Sequence, residues 1–163
     1  MQATNPADVL LDHDHWANLK LYETCRSLSE QQLHRPFEMG TGSIHNNLVH
    51  NLGAMRGWTD VLNEGERRPR LEECRYTMGE IEDLHGSVSA EFRAAANAKP
   101  SGAVLTPSRD GQSYTFTAGG ILTHVTTHSM HHRAQCLNML RQLGVGQLPP
   151  SSVMEWMLET GVQ

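Results

Sequence analysis

Long apolar runs, an excess of positive charge, a cysteine framework and a stock of aromatics are all missing from this 163-residue chain. Nothing in it approaches the roughly 20 consecutive apolar residues of a membrane-spanning helix, which excludes that class. Thirteen Lys and Arg against 18 Asp and Glu give a net charge of -5, so the basic footprint of a nucleic-acid binder is absent. Cys25, Cys74 and Cys136 are odd in number and share no Cys-x-x-Cys spacing, which argues against a disulfide framework or a cysteine zinc site. The start, Met1-Gln2-Ala3-Thr4-Asn5-Pro6, lacks the basic and apolar segments of a signal peptide and points to a cytoplasmic home. No P-loop, Gly-x-Gly-x-x-Gly turn or His-Glu-x-x-His segment occurs, leaving phosphoryl transfer, dinucleotide redox and zinc-protease chemistry unsupported. What the chain does hold is histidine: ten, against three each of Trp, Tyr and Phe.

Length suggests one domain over residues 1–163, and helical periodicity dominates it without an internal repeat. Asn5 before Pro6 reads as an N-cap opening a first helix through about Leu28. Ser29-Glu30-Gln31-Gln32, Pro36, Gly40 and Gly42 read as a connection, and a second helix runs from near Ser43 to about Asn63. Thr77-Met78-Gly79-Glu80 has the form of a capping box opening a third helix to about Ala98. Residues 104–117 favour a short hairpin around Arg109-Asp110-Gly111-Gln112. A fourth helix extends from Ala118 to about Leu143 with Gly144 as its stop, and a shorter last helix follows Pro149-Pro150 through Leu158. The predicted fold is all-α: an antiparallel four-helix bundle whose functional groups face its core.

The fourth helix sorts the histidines. Ile121, Val125, Cys136, Met139 and Leu143 follow a three-and-four spacing, and His128 and His132 fill the two open places in that line. Both are expected to point inward, about 40° apart and one turn from each other, the spacing that lets two imidazoles reach one ion. His124, His131 and Gln135 border that stripe. On the second helix His45 and His50 project about 140° apart and cannot face one spot. His50 shares a line with Ala54, Gly57 and Val61 and is placed inward. Burying the two imidazoles of the fourth helix costs free energy unless each nitrogen finds a partner, and a metal supplies one to both at once. Three neutral imidazoles suit one divalent transition ion, zinc or nickel first and iron or copper next, with a position left open for a substrate.

Three segments carry a resemblance: Trp16-Ala17-Asn18; Ser43-Ile44 leading to His50 and Trp58; and His124-Val125-Thr126-Thr127-His128-Ser129-Met130-His131-His132-Arg133-Ala134-Gln135. Over about residues 5–145 the chain resembles the DinB/YfiT-like superfamily of metal-binding four-helix bundles. The resemblance implies that His50, His128 and His132 hold the ion, the same three that the periodicity selects. It departs at Ala134, where the family commonly has Gly, and at His13, where an aromatic residue is more usual. The chemistry it implies is transfer to or from a low-molecular-weight thiol such as bacillithiol or mycothiol, by a homodimer. Hydrolysis is the related possibility, and a non-catalytic metal- or small-ligand-binding protein is the reading from another class.

The remaining polar residues receive plainer readings. Glu82-Asp83-Leu84-His85 matches one Glu-x-x-His element of di-iron bundles, but no second copy exists, so Glu82 and His85 are read as a solvated face. His13 and Asp14 are read as exposed helix residues, and Arg133 as paired on the helix surface. Cys136 is read as a small buried hydrophobe. Trp16 and Trp58 are read as bundle packing, with a place in the pocket as the competing role.

Overall fold

A computed structural model describes residues 5–161, so Met1–Thr4 of the signal-peptide reading lie outside it. The first helix, α1 (Pro6–Cys25), is capped by the Asn5 side chain, which accepts from the Asp8 amide at 3.0 Å. It stops three residues short of the expected Leu28. Ser29, extended at φ -71° and ψ 158°, caps a short helix α2 (Glu30–Leu33) through a reciprocal Ser29–Gln32 box, and an extended cap cannot also continue α1. The segment expected to be only a connection thus contains a helical turn, fastened to the core by buried Leu33.

Next come α3 (Ile44–Leu62), a 3-10 turn at Leu71–Glu73, and α4 (Met78–Asn97) behind the expected Thr77/Glu80 capping box. The hairpin region forms two nested pairs: β1 (Val104–Leu105) with β4 (Phe116–Thr117), and β2 (Ser108–Arg109) with β3 (Gln112–Ser113). Asp110 and Gly111 close the inner pair with φ of 53° and 77°, the left-handed geometry that a two-residue hairpin turn requires. The chain then enters α5 (Ala118–Gln142) and finishes with α6 (Val153–Thr160).

Side-chain pairs give the helix directions. Asp12 meets Arg93 and Tyr22 meets His85, so α1 and α4 run antiparallel. Asp14 meets Arg133 and Asn18 meets Ser129, so α1 and α5 also run antiparallel. Asn47 meets His132 and Trp58 meets His124, which sets α3 against α5 in the same sense. Hence α1 and α3 are parallel, α4 and α5 are parallel, and the closely packed long-helix pairs α1/α4, α1/α5, α3/α4 and α3/α5 are antiparallel. A 20-residue helix is about 30 Å long, so each parallel pair needs a connection that returns the length of the bundle. Residues 26–43 and 98–117 make those returns, which explains why α2 and the hairpins exist.

Two apolar clusters fill the interior. Leu11, Met55, Val88, Phe92, Ile121 and Val125 belong to one, and Leu21, Tyr22, Ile44, Leu52, Met139 and Leu140 to the other. Among the described residues no helix is long and apolar enough to cross a membrane.

Candidate metal centre

The α3–α5 face brings three histidines together. His50, His128 and His132 offer ring nitrogens that all lie within 4.8 Å of one another. Their ring centroids stand 4.8 Å apart for His50–His132, 5.3 Å for His50–His128 and 4.4 Å for His128–His132. The expected inward placements need two corrections: His132 is buried but His128 is only half-buried, and on α3 His50 is half-buried while His45, read as facing away, is the buried one. Ser129, fully buried, takes the central place on α5 and receives hydrogen bonds from the amides of Asn18 and Asn51, each at 3.0 Å. The stripe is therefore shared between apolar and polar residues, and the histidines sit at its edge, where a ligand can approach.

Two of the three rings are oriented by neighbours the sequence did not reveal. His132 Nδ1 lies 2.8 Å from Asn47 Oδ1, and His50 Nδ1 lies 3.0 Å from Glu72 Oε1. Each Nδ1–H donates to its oxygen, which leaves both Nε2 lone pairs free, the arrangement typical of metal-bound histidine. Asn47 is one turn before His50 on α3, so helix spacing could have found it. Glu72 comes from the 3-10 turn and has no periodic signal. Burial, reinforced by the neighbouring imidazoles, lowers the pKa of both His128 and His132 to about 4, so both are neutral at pH 7 as ligands must be. The donor set therefore fits a divalent first-row ion on charge, tautomer and convergence.

The bordering residues divide. His124 reaches His128 at 5.6 Å and Trp58 at 5.2 Å between centroids, and Trp58 meets Phe116 of β4 edge-on, so a line of rings leads from the triad to the hairpin. His131 stands 5.3 Å from His132, and its Nε2 accepts from the Gln135 amide at 2.8 Å. Trp16 is elsewhere: its indole N–H donates to Glu159 of α6 and Lys20 lies over its ring, so its place in the pocket is withdrawn. Two half-open cavities of about 510 and 500 Å³ lie apart from the triad, one beneath the hairpin and one between α1 and α4.

Three further readings are overturned by packing. Asp14 and Arg133 are neither exposed nor a surface pair: both are buried and joined at 3.0 Å, with Arg133 also donating to Ser151. His13, also buried, meets the Ser151 carbonyl at 3.0 Å. His85 is 1% exposed rather than solvated, and Glu82 pairs with Arg26. Cys136 is buried in the core and its thiol pKa is pushed far up by burial, in keeping with a small hydrophobe.

Fold and triad together describe a helical bundle with a three-imidazole face. The chain belongs to the DinB family, whose sequence model matches residues 1–156. The crystal structure of a DinB-like protein from Bacillus subtilis, YjoA, superposes with a TM-score of 0.62 at 16% identity, covering 88% of this chain and 96% of that one. No curated protein matches the chain.

Proposed function

We propose that this DinB-family chain is a metal-dependent enzyme, with His50, His128 and His132 holding one divalent ion, and that it transfers groups to or from a low-molecular-weight thiol. The observation that carries the reading is the convergence of three imidazoles, two with their Nδ1 atoms directed to Asn47 and Glu72 and their Nε2 atoms left free. Zinc or nickel, then iron or copper, suit such a donor set. A bound divalent ion acts as a Lewis acid that makes a thiol, or water if the reaction is hydrolysis, acidic enough to react at neutral pH. The protein's own work is to keep His128 and His132 neutral and to fix the His50 and His132 rings. A cytoplasmic location, a homodimer and a small-molecule substrate belong to the same reading, and light scattering tests the dimer.

The test has two stages. Metal-loaded, untagged protein should retain close to one equivalent after dialysis, and His128→Ala should lose it. Loaded protein should then consume a thiol in the presence of electrophiles, and His132→Ala should not. Metal without turnover across a broad panel favours a second reading, a protein that binds the ion without catalysis. That reading draws on the two described cavities, neither of which opens on the triad. Failure to retain any metal rejects both.

A further inference from the structure

Gly53 lies in the middle of α3, one turn after His50, where glycine weakens a helix relative to alanine and needs a reason. The reason is steric. A Cβ at this position would stand 2.8 Å from Glu72 Oε2, 3.1 Å from its Cδ and 3.2 Å from Oε1. Gly57, one turn further on, is a built-in contrast, because a Cβ there meets nothing within 4 Å. Glu72 cannot simply retreat along with its backbone. Its neighbour Leu71 is buried at 3% exposure, and the Arg56 guanidinium donates to the Pro69 carbonyl two residues earlier. An added methyl must therefore swing the carboxylate itself, and that carboxylate is what holds His50 Nδ1 at 3.0 Å.

We infer that Gly53 is a positioning residue: its missing side chain seats the Glu72 carboxylate against α3, and Glu72 in turn fixes the ring tautomer of His50. The inference rests on the proposed metal site for its purpose, while its geometry stands without a metal. A neutral imidazole in water favours neither nitrogen strongly, so a seated carboxylate accepting from Nδ1–H is what keeps Nε2 unprotonated and available. The segment between α3 and α4 thus does more than connect: it delivers one carboxylate to one glycine.

The experiment compares Gly53→Ala with Gly57→Ala, using cobalt(II) as the probe. Both substitutions replace a mid-helix glycine by alanine, so both metal-free variants should melt at or above the wild-type temperature. Only Gly53→Ala should weaken cobalt binding, by about tenfold or more, the usual loss when an orienting partner is removed. An undiminished melting temperature with a weaker site is a combination that a merely structural role does not produce. Glu72→Ala should reproduce the loss, and Gly53→Ala/Glu72→Ala should be no weaker than Glu72→Ala alone, because the glycine acts through the carboxylate. In metal-free protein at pH 8, ring nitrogen NMR should show His50 as the Nδ1–H tautomer in wild type and Gly57→Ala, and a shift toward Nε2–H in Gly53→Ala. Wild-type cobalt affinity together with an unchanged His50 tautomer in Gly53→Ala overturns the inference, as do losses that add in the double variant. If wild type binds no cobalt, the metal reading fails by itself, and the tautomer comparison still decides the role of Gly53.

Discussion

Two groups of histidines occupy two helix seams, and their nitrogens are treated differently. Between α1 and α4, His15 and His85 stack at 5.0 Å, with His15 Nδ1 3.0 Å from His85 Nε2 and the Tyr22 hydroxyl donating to His85 Nδ1 at 3.3 Å. Both nitrogens of His85 are thus satisfied by the protein. Between α3 and α5, His50 and His132 each spend one nitrogen on Glu72 or Asn47 and leave the other without a protein partner, in a cluster with His128 whose ring nitrogens come within 4.8 Å of one another. Burial alone does not separate the groups, since His85 is the more buried. What separates them is the balance of partners: a closed hydrogen-bond chain is structure, and a set of convergent free lone pairs is a place for a cation.

The sharpest way to break this contrast is to delete one ring from each seam. His132→Ala should cost about 1,000-fold in metal affinity, close to a third of the roughly 12 kcal/mol that holds a structural zinc ion. His85→Phe should leave affinity unchanged, since it shares no partner with the triad. Metal titration of both variants decides the matter, and equal losses would erase the distinction between the seams.

Next in size is the bolt between them. Arg133 adjoins His132 in sequence and donates to Asp14, whose pKa burial raises while Arg133 pulls it down. Arg133→Met should cost about 3 kcal/mol by leaving Asp14 buried without its cation, and adding Asp14→Asn should recover part of that. Denaturant unfolding of the two variants measures both numbers.

A smaller effect is read from pH. Burial, with His15 beside it, lowers the pKa of His85 from 6.5 to about 3. Below pH 6.5 the unfolded chain takes up a proton at this residue that the folded chain refuses until about pH 3. Stability from this group is therefore complete above pH 6.5 and falls as the pH drops, by at most about 1.4 kcal/mol per unit. Removing that slope is the expected result of His85→Phe, measured as the difference in unfolding free energy from wild type between pH 7 and pH 5. The smallest effect belongs to Trp16→Phe, which loses one hydrogen bond to Glu159 on α6 and should change stability by less than about 1 kcal/mol. Metal affinity should not move in that variant, and a loss there would return Trp16 to the pocket.

Legibility in the sequence followed the range of the physics involved. Caps act within four residues, so Asn5, Ser43 and Thr77 marked the starts of three long helices and the structure agrees, while the Thr117 cap of α5 was read only as part of the hairpin. Ser29 escaped for the opposite reason, because a four-residue helix is too short to show a period. The spacing of His128 and His132 put two rings on one side of α5, but which neighbour held the centre of that side depended on Asn18 and Asn51, which lie on other helices. His13, Asp14, His85 and Arg133 were misplaced because a polar residue reads as exposed until its partner is known, and each partner is distant in sequence.

By itself, then, the sequence determined the helical periods, the caps that start three of the long helices and the family to which the pattern of His50, His128 and His132 belongs. Only the tertiary structure decided that α1 runs parallel to α3, that Glu72 reaches His50 over a glycine, and that both nitrogens of His85 are paired while one nitrogen of His132 is left free. Those decisions come from contacts between residues far apart along the chain, whose free energies no local pattern encodes.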